Sequence, residues 1–200
     1  MLPAPELVLA SASPRRRELL RMAGIPFRVV IRHGPPEELP KTTTKPGELV
    51  EKLALNKAQA VAETARGVIL GADTIVLVGK DILGKPADRG EATKMLARLS
   101  GKAHKVYTGL ALVDNRTEKV VEICAHEKTE VTFRRLSKRE IEWYVSTGEI
   151  FGKAGGYAIQ GRGSLLISKI SGCYFNVVGL PLTRLTKLLA NLGQLPWELA

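Results

Sequence analysis

Apolar and polar positions follow two alternating periods along the chain, so that strand-like and helix-like stretches succeed one another without internal repeats. Residues 7–10 form an unbroken apolar run and read as a buried strand. Ser13-Pro14 then offers an N-cap and a first-turn proline, residues 18–23 carry a helix, and Gly24 is placed to end it. Residues 27–31 read as the next strand, and residues 33–46, with four prolines and three threonines, as a long loop. A helix over residues 47–65 follows, with Val50, Leu53, Ala54, Ala58, Val61 and Ala65 on one stripe. Apolar residues on both sides of Gly71-Ala72-Asp73-Thr74 predict one central strand with a polar interruption, ending in a turn at residues 78–82. Asp88 with Glu91, and Ser137 with Glu140, have capping-box spacing for helices that stop at Gly101 and Gly148. Between those helices, residues 105–113 and 119–133 are β-rich and joined by a turn at Asp114-Asn115, and Leu182, Leu185, Leu188, Leu189 and Leu192 mark a last helix. The alternation predicts one α/β domain over residues 1–200.

Composition narrows the class. With 44% hydrophobic residues in 200, the chain is an ordinary globule able to bury one sizeable core, and disorder or a fibre is excluded. Cys124 and Cys173 stand far apart with no Cys-x-x-Cys, which argues against a zinc site and a disulfide framework and points to the reducing cytoplasm. No targeting or membrane-spanning segment is expected. Thirty Lys plus Arg against 20 Asp plus Glu give a net charge of +10, which suits nucleic acid, an anionic membrane or a small phosphorylated substrate equally well. Few aromatics, and none interleaved with basic residues, disfavour a single-strand reader. His33, His104 and His126 show no metal-binding spacing and read as structural or surface residues.

Four places depart from structural routine. Arg15, Arg16 and Arg17 open a helix at the positive end of its dipole, where acidic residues are favoured. A strand, a turn with Ser11 and Ser13, and a helix N-terminus make a phosphate cradle that arginine reinforces, unless Ser13 only caps and the arginines fan into solvent. Lys57 falls inside the apolar stripe of the second helix, so it either snorkels to the rim or meets a phosphate. Asp73 interrupts a buried strand and needs a reason: a Mg²⁺ ligand, a general base, or an ion pair with Lys85 or an arginine. Residues 152–163 hold five glycines around Gln160, which lets backbone approach a ligand and offers an amide able to read a base edge.

Taken together, Leu9-Ala10-Ser11-Ala12-Ser13-Pro14-Arg15-Arg16, Gly71-Ala72-Asp73-Thr74, Gly84-Lys85-Pro86, Met95 to Gly101, Lys153-Ala154-Gly155-Gly156-Tyr157 and Asn176-Val177-Val178-Gly179-Leu180-Pro181 resemble the Maf family of nucleoside triphosphate pyrophosphatases over nearly the whole chain. The resemblance implies an inosine-triphosphatase-like fold: a mixed, twisted sheet flanked by helices, with a cleft between two lobes. It also implies hydrolysis of a nucleoside triphosphate to monophosphate and pyrophosphate with a divalent cation, Mg²⁺ or Mn²⁺, as house-cleaning of the nucleotide pool. Arg15, Thr74 and Gln160 are similar to the subgroup acting on dTTP and UTP. On that pattern Ser11, Ser13, Arg15, Arg16, Lys57, Thr74, Lys85, Lys153 and Gln160 bind substrate, and Asp73 is general base or metal ligand. Glu38, or else Glu37, is the second acidic ligand; a four-residue intrusion, His33 to Pro36, separates them from the preceding strand. Gly156 stands where alanine is common. A homodimer is expected, without membrane or stable nucleic-acid partner. The alternative is a non-catalytic regulator of cell division or a nucleic-acid-binding protein.

Overall fold

The computed structural model describes residues 7–32 and 39–194; His33, Glu37 and Glu38 lie outside them. The order is β1 (Leu7–Leu9), α1 (Pro14–Met22), β2 (Phe27–Val29), α2 (Pro46–Ala62), β3 (Val68–Val78), β4 (Asp81–Leu83), α3 (Arg89–Leu99), β5 (Ala103–Asp114), β6 (Val121–Phe133), α4 (Lys138–Ser146), β7 (Ile167–Ser171), α5 (Tyr174–Val178) and α6 (Leu182–Asn191). Two 3₁₀ turns, Ala154–Gly156 and Gly161–Leu166, lie between α4 and β7.

The sheet runs β2-β1-β3-β5-β6-β7, with β4 paired to β3 beyond the end of β1. β1 is parallel to both β2 and β3, whereas β3, β5, β6 and β7 are mutually antiparallel along the sheet. The mixed sheet predicted from the resemblance is therefore present. Because β2 lies on one side of β1 and β3 on the other, the carboxyl end of β1 is a topological switch point, the place where open α/β sheets bind ligands. There β1 pairs only with Val68 to Leu70 and β4 only with Val76 to Val78, which leaves that edge of β3 without a strand partner between them among the described residues.

Two apolar clusters flank the gap. One gathers β1, α1, α6 and the first part of β3; the other gathers α3, α4, β6 and the far end of β3. These are the two lobes. The opposite face of the sheet is covered by α2, whose Ala54, Ala58 and Val61 pack on Val8, Ile69, Ala111 and Val113. The helix can lie so close because Gly71 and Gly109 have no side chain: a Cβ would come within 2.0 Å of the Ala54 carbonyl oxygen at Gly71 and 2.1 Å of that of Val50 at Gly109.

Some local expectations change. Ser13 holds the N-cap position of α1 but its side chain makes no capping bond, and α2 begins at Pro46 after Lys45. The Ser137–Glu140 box closes fully, whereas Glu91 bonds the Ala87 amide, one residue before Asp88. The turn at residues 78–82 contains the start of β4, and β7 and α5 are elements that hydrophobic spacing did not mark.

Gly71→Ala is expected to push α2 off the sheet and destabilise the protein by about 2 kcal/mol or more. Urea unfolding checks this; a midpoint equal to the parent's would show that α2 has room the geometry denies it.

Candidate active site

A cavity of about 670 Å³ opens at the gap beside β3, within the usual range for a small-molecule site. Its wall includes Ser11, Ser13, Arg15, Arg16, Lys57, Asp73, Thr74, Lys85, Lys153 and Gln160. The substrate and acid residues expected from sequence thus meet in one place, apart from Glu37 and Glu38, which lie outside the described residues.

The β1–α1 turn brings the first group. The Ser13 amide donates to the Ser11 hydroxyl, so the turn folds on itself and leaves the Ser13 hydroxyl uncommitted among the described residues. Arg16 is fully engaged with protein: Nε donates to the Gly179 carbonyl (2.8 Å), one terminal nitrogen to Ser11 Oγ (3.0 Å) and the other to Thr74 Oγ1 (3.2 Å). Arg15, by contrast, makes no hydrogen bond or ion pair among the described residues. Burial lowers the pKa of both guanidiniums, and each remains a cation.

Thr74 continues this bonding inward. The Thr108 hydroxyl donates to the Asn176 carbonyl, so its 2.9 Å contact with Thr74 must have Thr74 as donor. The Asn176 amide donates to Val106 O and to Thr129 Oγ1, and the Thr129 hydroxyl donates to Cys173 O. Thr108, Thr129 and Asn176 are buried; the two threonines went unnoticed in the sequence, where an isolated threonine carries no signal, and Asn176 stood out only as part of the Asn176 to Pro181 motif, with no role attached.

Asp73 and Gly71 project from the same face of β3, towards α2, and Asp73 sits opposite Gly109 on β5. The helix seated on those glycines carries Lys57, which ion-pairs with Asp73, whose side chain is 17% exposed. The partner of Asp73 is therefore Lys57 rather than Lys85 or an arginine, and Lys57 neither simply snorkels nor waits for phosphate alone.

The glycine-rich stretch supplies the remaining wall. The Gly155 amide donates to the Gly84 carbonyl (2.9 Å), which ties the Lys153 turn to the Lys85 turn. Lys153 Nζ bonds the Phe151 carbonyl, and burial, then nearby Arg15, lowers its pKa. Gln160 is half-buried, and its amide makes no hydrogen bond among the described residues. Beneath this stretch Tyr157, another wall residue, has its hydroxyl 2.6 Å from Nε2 of buried His104, and both rings pack on Phe133. His104 is thus a core residue.

Among the described wall residues, six cations (Arg15, Arg16, Arg32, Lys57, Lys85 and Lys153) face one carboxylate, Asp73. Arg32 is turned towards Glu63 and the Ala60 carbonyl. Such an excess suits a polyanion. No trio of His, Cys, Asp or Glu gathers as a metal cluster among the described residues. One carboxylate is nevertheless a fitting donor for a hard cation that brings phosphate oxygens as its other ligands, the usual way Mg²⁺ is held.

A family model described as Maf-like protein matches residues 6–192. A dTTP/UTP pyrophosphatase of Symbiobacterium thermophilum is 54% identical over 191 residues, covering 94% of each chain. Proteins of the same name from Desulforamulus reducens and Bacillus cytotoxicus are each 49% identical, covering 94% and 91% of this chain and 96% and 93% of theirs. Among solved structures, the Ham1 protein of Staphylococcus aureus aligns with a TM-score of 0.47 at 14% identity, over 81% of this chain and 79% of its own.

Burial holds His104 neutral and depresses its pKa from 6.5 to about 4. The unfolded chain therefore takes up this proton first as pH falls, and stability declines from about pH 6.5 towards pH 4. That gap is worth on the order of 3 kcal/mol at most. Urea midpoints across this window should fall less steeply for His104→Gln than for the parent; parallel slopes would place the proton uptake elsewhere.

Proposed function

The chain belongs to the Maf-like protein family, and on that premise we propose that it hydrolyses pyrimidine nucleoside triphosphates, dTTP and UTP foremost, to the monophosphate and pyrophosphate. One observation carries this reading to the level of residues: serine turn, cations, carboxylate and uncommitted amide line a single cavity at the switch point of the sheet. The activity is also that named for relatives about half identical over nearly their whole length.

The triphosphate lies against Ser11, Ser13 and Arg15 at the start of α1, where the Arg15 and Arg16 amides precede the first helical bond, from Arg17 to Ser13. Arg16, held by Gly179, Ser11 and Thr74, keeps the turn and the β3 wall in register while adding charge. Lys57, Lys85 and Lys153 neutralise the charge that grows on departing pyrophosphate. No covalent intermediate is required. Asp73 accepts a proton from the attacking water; alternatively Asp73, with Glu38 or Glu37, would hold a divalent cation. When bound, such a cation screens the phosphates and acidifies water. Gln160 presents its amide to the uracil or thymine edge, donating and accepting at once, and Thr74 sets the floor through its bonds to Arg16 and Thr108.

The protein works in the cytoplasm, in keeping with two free cysteines, and among the described residues no helix is long and apolar enough to cross a membrane. It forms a homodimer, for which the exposed Leu165 and Tyr174 beside edge strand β7 are a candidate contact. Nothing in the cavity favours the regulator or nucleic-acid reading.

Asp73→Asn should lower pyrophosphate release from dTTP and UTP by a factor on the order of 10² to 10⁴ while calorimetry still detects nucleotide binding. Full activity would remove Asp73 from the chemistry. The same assay with dTTP, UTP, CTP, GTP, ATP and 7-methyl-GTP, with Mg²⁺ or Mn²⁺, should show strong preference for the first two, and Gln160→Ala should erode that preference roughly tenfold or more. A flat profile in the parent would overturn the substrate assignment.

A further inference from the structure

The segment that carries Gln160 is fastened from below by two side chains that do not line the cavity. Tyr144, in α4 and fully buried, accepts the Ala158 amide on its hydroxyl at 3.1 Å. Glu149, just after α4, receives the Arg162 amide on one carboxylate oxygen and the Gly163 amide on the other, each at 3.3 Å. The two stand near one another: burial, and after it the neighbouring Glu149 carboxylate, raise the pKa of the Tyr144 hydroxyl. The chain between these anchors doubles back tightly: a Cβ at Gly163 would stand 2.1 Å from the Ala158 carbonyl oxygen and 2.7 Å from the Tyr144 hydroxyl. Gln160 lies midway, at the crest of a loop pinned two residues before it and two and three residues after it.

The same pair borders the cationic end of the cavity. Tyr144 lies within electrostatic range of Arg15, and Glu149 within range of Lys153. A rigid bracket thus spans from the cations that face the phosphates to the amide that faces the base.

We propose that Glu149 and Tyr144 are positioning residues for base selection: by fixing the loop backbone relative to Arg15 and Lys153, they set how far from the phosphates Gln160 meets a base. This rests on the reading of Gln160 as the base-contacting residue. Replacing the carboxylate with an amide leaves one oxygen for two N–H donors and turns an N–H₂ group towards the second, so the loop loses one anchor. Removing the Tyr144 hydroxyl frees the Ala158 amide while the ring still fills its place in the core.

The test compares kcat and KM for dTTP, UTP, CTP and GTP in the parent, Glu149→Gln, Tyr144→Phe and Gln160→Ala, with thermal unfolding of each. The expected result is a preference for dTTP and UTP over CTP and GTP reduced roughly tenfold in Glu149→Gln and in the same direction in Tyr144→Phe. The loss should fall mainly on KM for the preferred nucleotides. A merely structural role predicts an equal loss for all four nucleotides, or a lower Tm with unchanged preference, and either result overturns the proposal. If Gln160→Ala shifts the preference while the other two variants do not, the bracket fails and the base reading stands. If Gln160→Ala leaves the preference intact, the base reading itself has failed. Tyr144→Phe keeps the proposal decidable should Glu149→Gln fold poorly.

Discussion

Between Leu70, where β3 last pairs with β1, and Val76, where it first pairs with β4, the edge of a central strand runs without a strand beside it among the described residues. A sheet edge inside a domain is normally covered, since unpaired backbone groups are costly to bury. Here the gap is kept open by the shortness of its two neighbours, each three residues long. Every wall of the cavity follows from that omission: the β1–α1 turn arrives from one lobe, the Lys85 and Lys153 turns from the other, and Asp73 emerges from the strand between them. Lengthening either short strand into the gap would complete the sheet and abolish the site.

Gathering cations in such a place works against folding. Arg15, Arg16 and Lys153 are all depressed by burial, and Arg15 and Arg16 also repel one another, as do Arg15 and Lys153. The protein bears this because each charge stands on an element fixed for other reasons: α1 by Leu19 and Leu20 in one core, α2 by its seat on two glycines, the Lys153 turn by the Gly155–Gly84 bond. A polyanion relieves the repulsion without requiring those elements to move, which is the sense in which the cavity is organised before substrate arrives.

Much of this was legible in the chain. Lys57 inside an apolar stripe and Asp73 inside an apolar strand each violated a local pattern, and the two violations turn out to answer one another. Other features left no such trace. The strand β7 carries Ile167 and Ile170 three residues apart, which no strand period explains; a register shift at Thr132–Phe133 absorbs the extra residue. The helix α5, five residues long, is shorter than the window in which helical spacing can be recognised. Ser13 reads as a cap because serine before proline usually caps, yet the hydroxyl is withheld from the helix and faces the cavity. Tyr144 and Glu149 act on backbone amides 13 or more residues away, and backbone has no sequence signature to pair with.

The guanidinium of Arg16 is held by the carbonyl of Gly179, 163 residues further along the chain. Synthesis proceeds from the amino end at roughly 5–20 residues per second, so the turn that carries Ser11 and Ser13 exists for many seconds before the segment that holds Arg16 has been made. Thr108 waits likewise for Asn176. A nascent chain on the ribosome therefore carries its arginines without their final orientation, surrounded by the triphosphates that fuel translation, and acquires a finished cavity only after Gly179 has been made and has folded back. Long-range closure of this kind makes the finished cavity a product of segments far apart in the chain rather than of any one of them.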